Sequence, residues 1–304
     1  MARMTGATGV QTNRTDIQLP KEVSSEIWAK TLESSAVMQL ARRITMPGNG
    51  VTIPMITSDP TAQWVNETAA KPVSNPEVAK KNLVPYKLAV IVPFSNEFRR
   101  DAAALYDALV SRLPNVLGAK FDETVFFGAA PGSDFDTLAA VTAQSLTGAS
   151  GAYAGLVAAY ADIAEHYGNA NGIAISPAGK AVLLNSVDQV GHPLFTSGVA
   201  SDAPTSILGQ QVRESRAAYK YGSPNIVGVM GDWTKAVYGT VEGVQVDISK
   251  EATLDLGGGN TINLFQQNMF AVRAEIEVAF GCEADKFNAL TAAAAGATGA
   301  TGET

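Results

Sequence analysis

Apolar residues recur at helical spacing from Asn96 to Phe127. Phe98, Ala102, Leu105, Leu109, Leu113, Val116 and Leu117 fall at steps of three, four and occasionally seven, which puts them on one stripe. Glu97, Arg99, Arg100, Asp107, Arg112, Lys120 and Asp122 fall largely off it. Ser95 stands where an N-cap belongs, and Glu97 is in the first turn, where the helix dipole favours an acid. At a 1.5 Å rise per residue the stretch would make a helix about 45 Å long. Pro114 removes one internal hydrogen bond, so a kink or a split is expected there. An ordinary core helix explains such a stripe equally well, and a long helix names no function.

The rest of the pattern falls on either side of this helix. Upstream, Val23, Ile27 and Leu32 predict a short helix over Pro20 to Glu33, with Trp28 beside its stripe. Val51 to Ile56 alternates as a strand, although Pro54 cannot donate to a ladder. Leu83 to Pro93 alternates again, with Val84, Tyr86, Leu88, Val90 and Val92 on one face. The polar stretch between them, from Ser58 to Pro76, carries Trp64, Glu67 and Lys71, so the two strands read as a long hairpin with a polar tip. Such a hairpin is marginal alone in water and needs a partner surface.

Downstream, Gly128 suits a helix stop and Ala129 to Gly151 reads as a junction rich in Gly, Ser and Ala. Tyr153, Leu156, Val157, Tyr160 and Ile163 mark an amphipathic helix ended by Gly168. Ile173 to Ile175 is a short strand, and Ser176-Pro177 opens a helix through Leu184. Ile207 to Val212 and Asn225 to Met230 add strands, so this region reads as a compact α/β unit. Val244, Val246 and Ile248 form one face of a strand. In Phe270 to Phe280, Val272, Ala274, Ile276, Val278 and Phe280 face one way, and Ala271, Arg273, Glu275 and Glu277 the other. The tail after Leu290 has too little apolar area to offset its ordering entropy and is expected to be disordered.

Composition narrows the function classes. The 304 residues are 46% hydrophobic and 17% charged, enough for one large or two medium domains. A net charge of -7 argues against a dedicated phosphate-gripping protein, which would show a basic excess. The single cysteine, Cys282, excludes an intrachain disulfide and a Cys-rich zinc site. A basic-then-apolar leader is not present, and no uninterrupted apolar run is long enough to span a bilayer, so a soluble intracellular product with no membrane role is expected.

The search for catalytic parts yields little. His166 closes an amphipathic helix and His192 lies in a Gly-His-Pro turn; both are expected to be structural. Nothing marks a pairing of Cys282 with either of them. H-E-x-x-H, C-x-x-C and D-x-D-x-D-G do not occur, and Pro177 to Ala181 fails the phosphate-loop pattern at Ala181. Gly257 to Gly259 reads as a turn. No catalytic, cofactor-binding or metal-binding residue is assigned, and no cofactor is expected. Two readings remain: a self-associating structural protein, and an α/β hydrolase- or transferase-like enzyme within Tyr153 to Met230. The second has no nucleophile elbow, whereas the first explains extended pieces that a monomer could not easily bury.

The order of these elements resembles the major capsid proteins of tailed bacteriophages, whose HK97-like fold is shared with encapsulin shells. The resemblance rests on L-P-K-E-V-S (Leu19 to Ser24), the hairpin from Val51 to Phe94 and the helix from Asn96. It continues through N-G-I-A-I-S-P (Asn171 to Pro177), G-H-P-L (Gly191 to Leu194) and L-G-Q-Q-V (Leu208 to Val212). V-G-V-M-G-D-W (Val227 to Trp233) and F-Q-Q-N-M-F-A-V-R-A-E-I (Phe265 to Ile276) complete it.

What the resemblance implies is an α+β fold with an N-terminal arm over 1–46 and an extended hairpin (E-loop) over 47–94. A peripheral domain with the spine helix would take 95–150 and 234–290, an inserted axial domain 151–233, and a disordered tail 291–304. Copies would form the hexamers and pentamers of an icosahedral shell around double-stranded DNA, held without sequence-specific binding. Subunit contacts are expected at Trp28, Trp64, Glu67, Lys71, Arg99, Arg100 and Arg112. The partners implied are other copies, a separate scaffolding protein, a portal and a decoration protein. Location would be the virion, after assembly in the host cytoplasm. Within the same fold, an encapsulin-type nanocompartment shell is the alternative.

Overall fold

The computed structural model describes residues 35–58, 62–66, 71, 73, 77–101, 111–148, 151–187 and 206–293. The expected arm helix, with Trp28, lies outside the described residues, as do Glu67, His192, 102–110 and 294–304.

Ser35 caps the first short helix, α1 (Ala36–Leu40), its hydroxyl accepting from the Met38 N–H at 3.1 Å. Strand β1 (Arg42–Thr45) follows. The hairpin forms from β2 (Val51–Ser58) and β3 (Glu77–Leu83), with Val51 opposite Leu83. This corrects the expected pairing. The second run of alternation does not return along the first but breaks at Val84 and Pro85, and then continues as β4 (Tyr86–Ser95) into a different sheet. Pro85 has no N–H to give to the β2 ladder, so the chain can leave the hairpin there.

Strand β4 passes directly into α2 (Asn96–Asp101). Past the residues left undescribed, a turn at Ser111 and Arg112 leads into α3 (Leu113–Phe126), with Pro114 in its first turn, where the missing N–H costs nothing. A helix start with Pro114 in its first turn agrees with the expected kink or split, while 102–110, which would decide it, lie outside the described residues. Helix α3 ends where the N–H groups of Phe127 and Gly128 both reach Glu123 O, at 3.1 and 2.8 Å. Two stripe assignments change. Val116 is 52% exposed, and Asp122, read as an off-stripe charge, is 1% exposed.

The chain continues through β5 (Thr142–Ser145), α4 (Gly151–Glu165), β6 (Gly172–Ile175) and α5 (Pro177–Leu184). Next come β7 (Ser206–Ile207), β8 (Gln210–Glu214) and β9 (Asn225–Gly231), with a 3-10 turn at Arg216–Ala218 between the last two. After a second 3-10 turn at Trp233–Lys235 come β10 (Ala236–Thr240), β11 (Gln245–Ser249), β12 (Thr253–Asp255) and β13 (Thr261–Asn263). The long β14 (Met269–Cys282) and β15 (Phe287–Ala292) close the described chain.

Strand β14 is the axis of a five-stranded sheet. On one side it pairs antiparallel with β4, Phe270 opposite Phe94 and Val278 opposite Tyr86. On the other it pairs with β11 and then β10, whose far edge carries β1 in parallel. The second sheet has six strands in the order β5-β15-β9-β6-β8-β7. Its register puts alternate residues into two cores: Ile173 and Ile175 meet α4 and α5, whereas Ala174 joins the core around α3 and the first sheet.

Two expected boundaries are corrected by this topology. The expectation puts residues up to 290 in the unit built on the spine helix and starts the tail at 291, which would divide β15. The strand instead lies between β9 and β5 in the second sheet and runs through Ala292. All six of its residues are buried, as a strand covered on both faces must be. The second sheet thus takes β5 and β15 from outside 151–233. Close approach fixes this pairing: a Cβ on Gly231 would collide with the Phe287 ring across the ladder.

Candidate functional site

The groups that could do covalent chemistry are dispersed. His166 is exposed, with Nδ1 2.8 Å from Asp162 O. Cys282 is 5% exposed, and burial, followed by the nearby Asp136 charge, pushes its thiol up to about 12. A thiolate is the reactive form, so Cys282 should not react with a thiol reagent at pH 8 in the folded chain and should react fully in denaturant. Fast native labelling would contradict this placement. No cluster of His, Cys, Asp or Glu that could hold a metal occurs among the described residues. Lys180 is paired with Glu214 at 3.0 Å, and the Gly179 N–H is given to Ser176 Oγ at 3.1 Å. Gly257 to Gly259 turns β12 into β13, with the Gly257 N–H on Asp255 Oδ1 at 2.8 Å.

Buried polar groups do structural work instead. Asp122 on α3 accepts from the Ser35 hydroxyl at 2.5 Å, the Ala36 N–H at 2.8 Å and the Val37 N–H at 3.3 Å. The Ser215 hydroxyl donates to it at 3.2 Å. One carboxylate therefore joins the first described residues, the spine and the bend after β8. Burial pushes this carboxyl up to about 6, against the opposing pull of its four donors.

A second polar clasp holds the base of the hairpin. Asp136 pairs with Lys81 of β3 and accepts the Cys282 N–H at 2.8 Å, while Lys81 Nζ donates to the Cys282 carbonyl at 2.9 Å. Beside it, Arg42, Ile53, Lys81, Lys235 and Glu283 line a cleft of about 660 Å³ between the hairpin and the first sheet. The outer face of that sheet carries the expected charges. Arg273 lies 2.6 Å from Asp247 and Lys87 lies 3.0 Å from Glu277, exposed pairs that add little stability.

Several large apolar side chains are exposed among the described residues. Trp64 is fully exposed beyond the β2–β3 hairpin, as is most of Val73, and Lys71 is exposed nearby in sequence. Arg112 is exposed at the turn before α3. Arg99 and Arg100 sit on α2, with their side chains outside the described set. Among the described side chains, no hydrogen bond or ion pair joins Trp64, Lys71 and Arg112.

Helix α4 carries a surface that the sequence reading placed differently. The expected single stripe separates into two faces. Leu156, Ala159 and Ile163 are fully buried against the second sheet, while Tyr153, Val157 and Tyr160 point outward and stay 50, 41 and 41% exposed. No charged residue occurs in α4 before Asp162, and Asp162 is itself bonded to Asn288 Nδ2 at 2.8 Å. A helix apolar all round belongs in an interior, yet this one keeps an outer face with no partner among the described residues. The signal in the sequence was the missing polar side.

Comparison with known proteins gives a consistent result. The family model described as "Phage capsid family" matches residues 16–290. The chain is 27% identical over 286 residues to the "Probable major capsid protein gp17" of Mycobacterium phage D29, covering 90% of this chain and 89% of that one. Against the protein of the same description from Mycobacterium phage L5 it is 29% identical over 296 residues, again covering 90% and 89%. A solved structure from Microbacterium phage Oxtober96 superposes with a TM-score of 0.70 at 24% identity, covering 96% of each chain. The fold is therefore the HK97-like α+β capsid fold.

Proposed function

The chain belongs to the phage capsid family, and from that premise we propose that its copies close into hexamers and pentamers of an icosahedral shell around double-stranded DNA. That it is a shell-forming structural protein of the virion follows from the family and the relatives. The observation that carries the finer reading is the outer face of α4: about two turns of helix, from Tyr153 to Tyr160, with aromatic and aliphatic side chains and no partner among the described residues. In a head-to-tail ring such a face is covered by a different surface of the next copy, and rotation closes the ring. Many modest contacts per subunit then make the shell far more persistent than any one pair.

In this reading the region 151–233 lies toward the capsomer centre, and the hairpin extends over an adjacent subunit. Trp64 and Lys71 contribute at the hairpin tip, Arg99, Arg100 and Arg112 contribute along the spine, and Trp28 and Glu67 complete the set. The protein has no catalytic role, is assembled in the host cytoplasm, and works with a separate scaffolding protein, a portal and a decoration protein. It encloses DNA without reading its sequence. Relatives and neighbours from phages favour this over a nanocompartment shell.

Val157→Glu and Trp64→Ala test the two surfaces. Both positions are exposed, so each variant should keep its circular dichroism and lose less than about 0.5 kcal/mol of stability. Particle yield should fall at least tenfold for Val157→Glu, because a charge enters an apolar contact. Normal particles of normal stability from both variants would remove these surfaces from the interface.

A further inference from the structure

Strand β8 leaves the second sheet through a bend that differs in charge from the rest of the chain. Between Glu214 and Asp232 there is no acidic residue, although the whole protein carries a net charge of -7. Arg213, Arg216 and Lys220 are all exposed on this bend, and their side chains make no hydrogen bond or ion pair among the described residues. Tyr219 and Tyr221 are exposed beside them, at 38 and 83%. The neighbouring acids are already engaged: Glu214 with Lys180 at 3.0 Å, and Glu123 of α3 with Lys120 at 3.0 Å. Asp232 caps its own turn and accepts the Asn169 N–H at 3.0 Å.

The bend is also held firmly. The Ser215 hydroxyl joins it to Asp122, and Lys220 and Ile226 exchange two backbone hydrogen bonds, of 2.9 and 3.0 Å. The Gly222 N–H is given to Asn225 Oδ1 at 3.0 Å. Exposed cations on a firmly held backbone, unpaired among the described residues and interspersed in sequence with exposed tyrosines, suit a polyanion whose negative charges repeat, since guanidinium, ammonium and phenol groups all bond to phosphate oxygens.

We propose that the Arg213–Tyr221 bend is a contact site for the phosphodiester backbone of nucleic acid. The inference rests on the shell reading for the presence of DNA beside the protein, but its chemistry does not depend on assembly. Three cations make a weak contact that is insensitive to sequence and sensitive to salt. That agrees with a protein too acidic overall to be a dedicated binder.

The test is fluorescence anisotropy of a short labelled DNA duplex titrated with the full-length chain before assembly, over a range of salt. Three phosphate contacts add about 2.7 to the slope of log K against log salt, so this contribution falls about 40-fold between about 50 and 200 mM. The combined variant Arg213→Gln, Arg216→Gln and Lys220→Gln should lose that part of the slope and bind at least tenfold more weakly at low salt. A charge-preserving variant, Arg213→Lys with Arg216→Lys, should retain binding. Equal affinity and slope for wild type and the glutamine variant would overturn the proposal. So would a glutamine variant that binds DNA normally but no longer forms particles, because the cations would then serve acids of a neighbouring copy. If the wild-type chain failed to assemble but showed the DNA slope, the shell reading would fail and this site would stand.

Discussion

Trp233→Ala should cost about 3–5 kcal/mol, enough to remove much of the stability of an ordinary domain. Trp233 is 1% exposed in the 3-10 turn that carries the chain from β9 of one sheet to β10 of the other. Its ring stands edge-on to Phe287 at 5.2 Å and to Phe126 at 6.3 Å, so it joins the spine helix to the closing strand β15. Its indole N–H is given to Gly172 O at 3.0 Å, and its backbone N–H to Asn171 Oδ1 at 2.9 Å. Truncation would leave a cavity where the two sheets meet and remove the indole bond. Trp233→Phe restores most of the volume but not that bond, and should cost about 1–3 kcal/mol. Urea denaturation monitored by circular dichroism measures both, and a loss below about 1 kcal/mol for the alanine variant would contradict the keystone role.

Asp122→Ala should cost about 3 kcal/mol or more, because four donors lose a buried acceptor together. The carboxyl also makes stability depend on pH in a direction opposite to that of most paired acids. Burial raises it from 3.8 to about 6 in the folded chain. Between about pH 4 and 6 the folded state therefore holds a proton that the unfolded state has released. Its contribution is fully present below about pH 4 and is lost as the pH rises through about 6. Asp122→Asn cannot titrate, so urea midpoints of wild type and this variant should converge or cross as pH rises from 4 to 7. Parallel curves over that range would show that Asp122 does not take up the proton.

How far the sequence disclosed the fold depended on whether the deciding contact was local. The cap at Ser176-Pro177 and a helix start at Pro114 follow from one or two residues, and both stand in the structure. The faces of β14 were legible for the same reason, since alternation from Val272 to Phe280 is a property of the strand alone. The partner of β2 was not. Glu77 to Leu83 reads E-V-A-K-K-N-L, with little β propensity, and becomes a strand because β2 and the Lys81–Asp136 clasp hold it. Strand β15 was hidden by small residues running into the tail, and only the β9 ladder shows that Thr291 and Ala292 are buried.

The candidate surfaces divided in the same way. The exposure of Trp64 was legible, because a tryptophan in a polar stretch has no stripe to join. The α4 face was not, because Tyr153, Val157 and Tyr160 share the helical period of the residues behind them. Without a polar side, periodicity cannot say which face meets the sheet. Asp122 was misjudged for the opposite reason. A charge off an apolar stripe is ordinarily solvated, and only the fold brings Ser35 and Ser215 to it.

The central claim is that this chain builds a shell from copies of itself, and particle size measures it directly. Purified full-length protein should form hollow particles of uniform diameter, or the rings from which they are built, seen by negative-stain microscopy and matched by light scattering. A folded chain that stays monomeric at every concentration, salt and pH tried would contradict it.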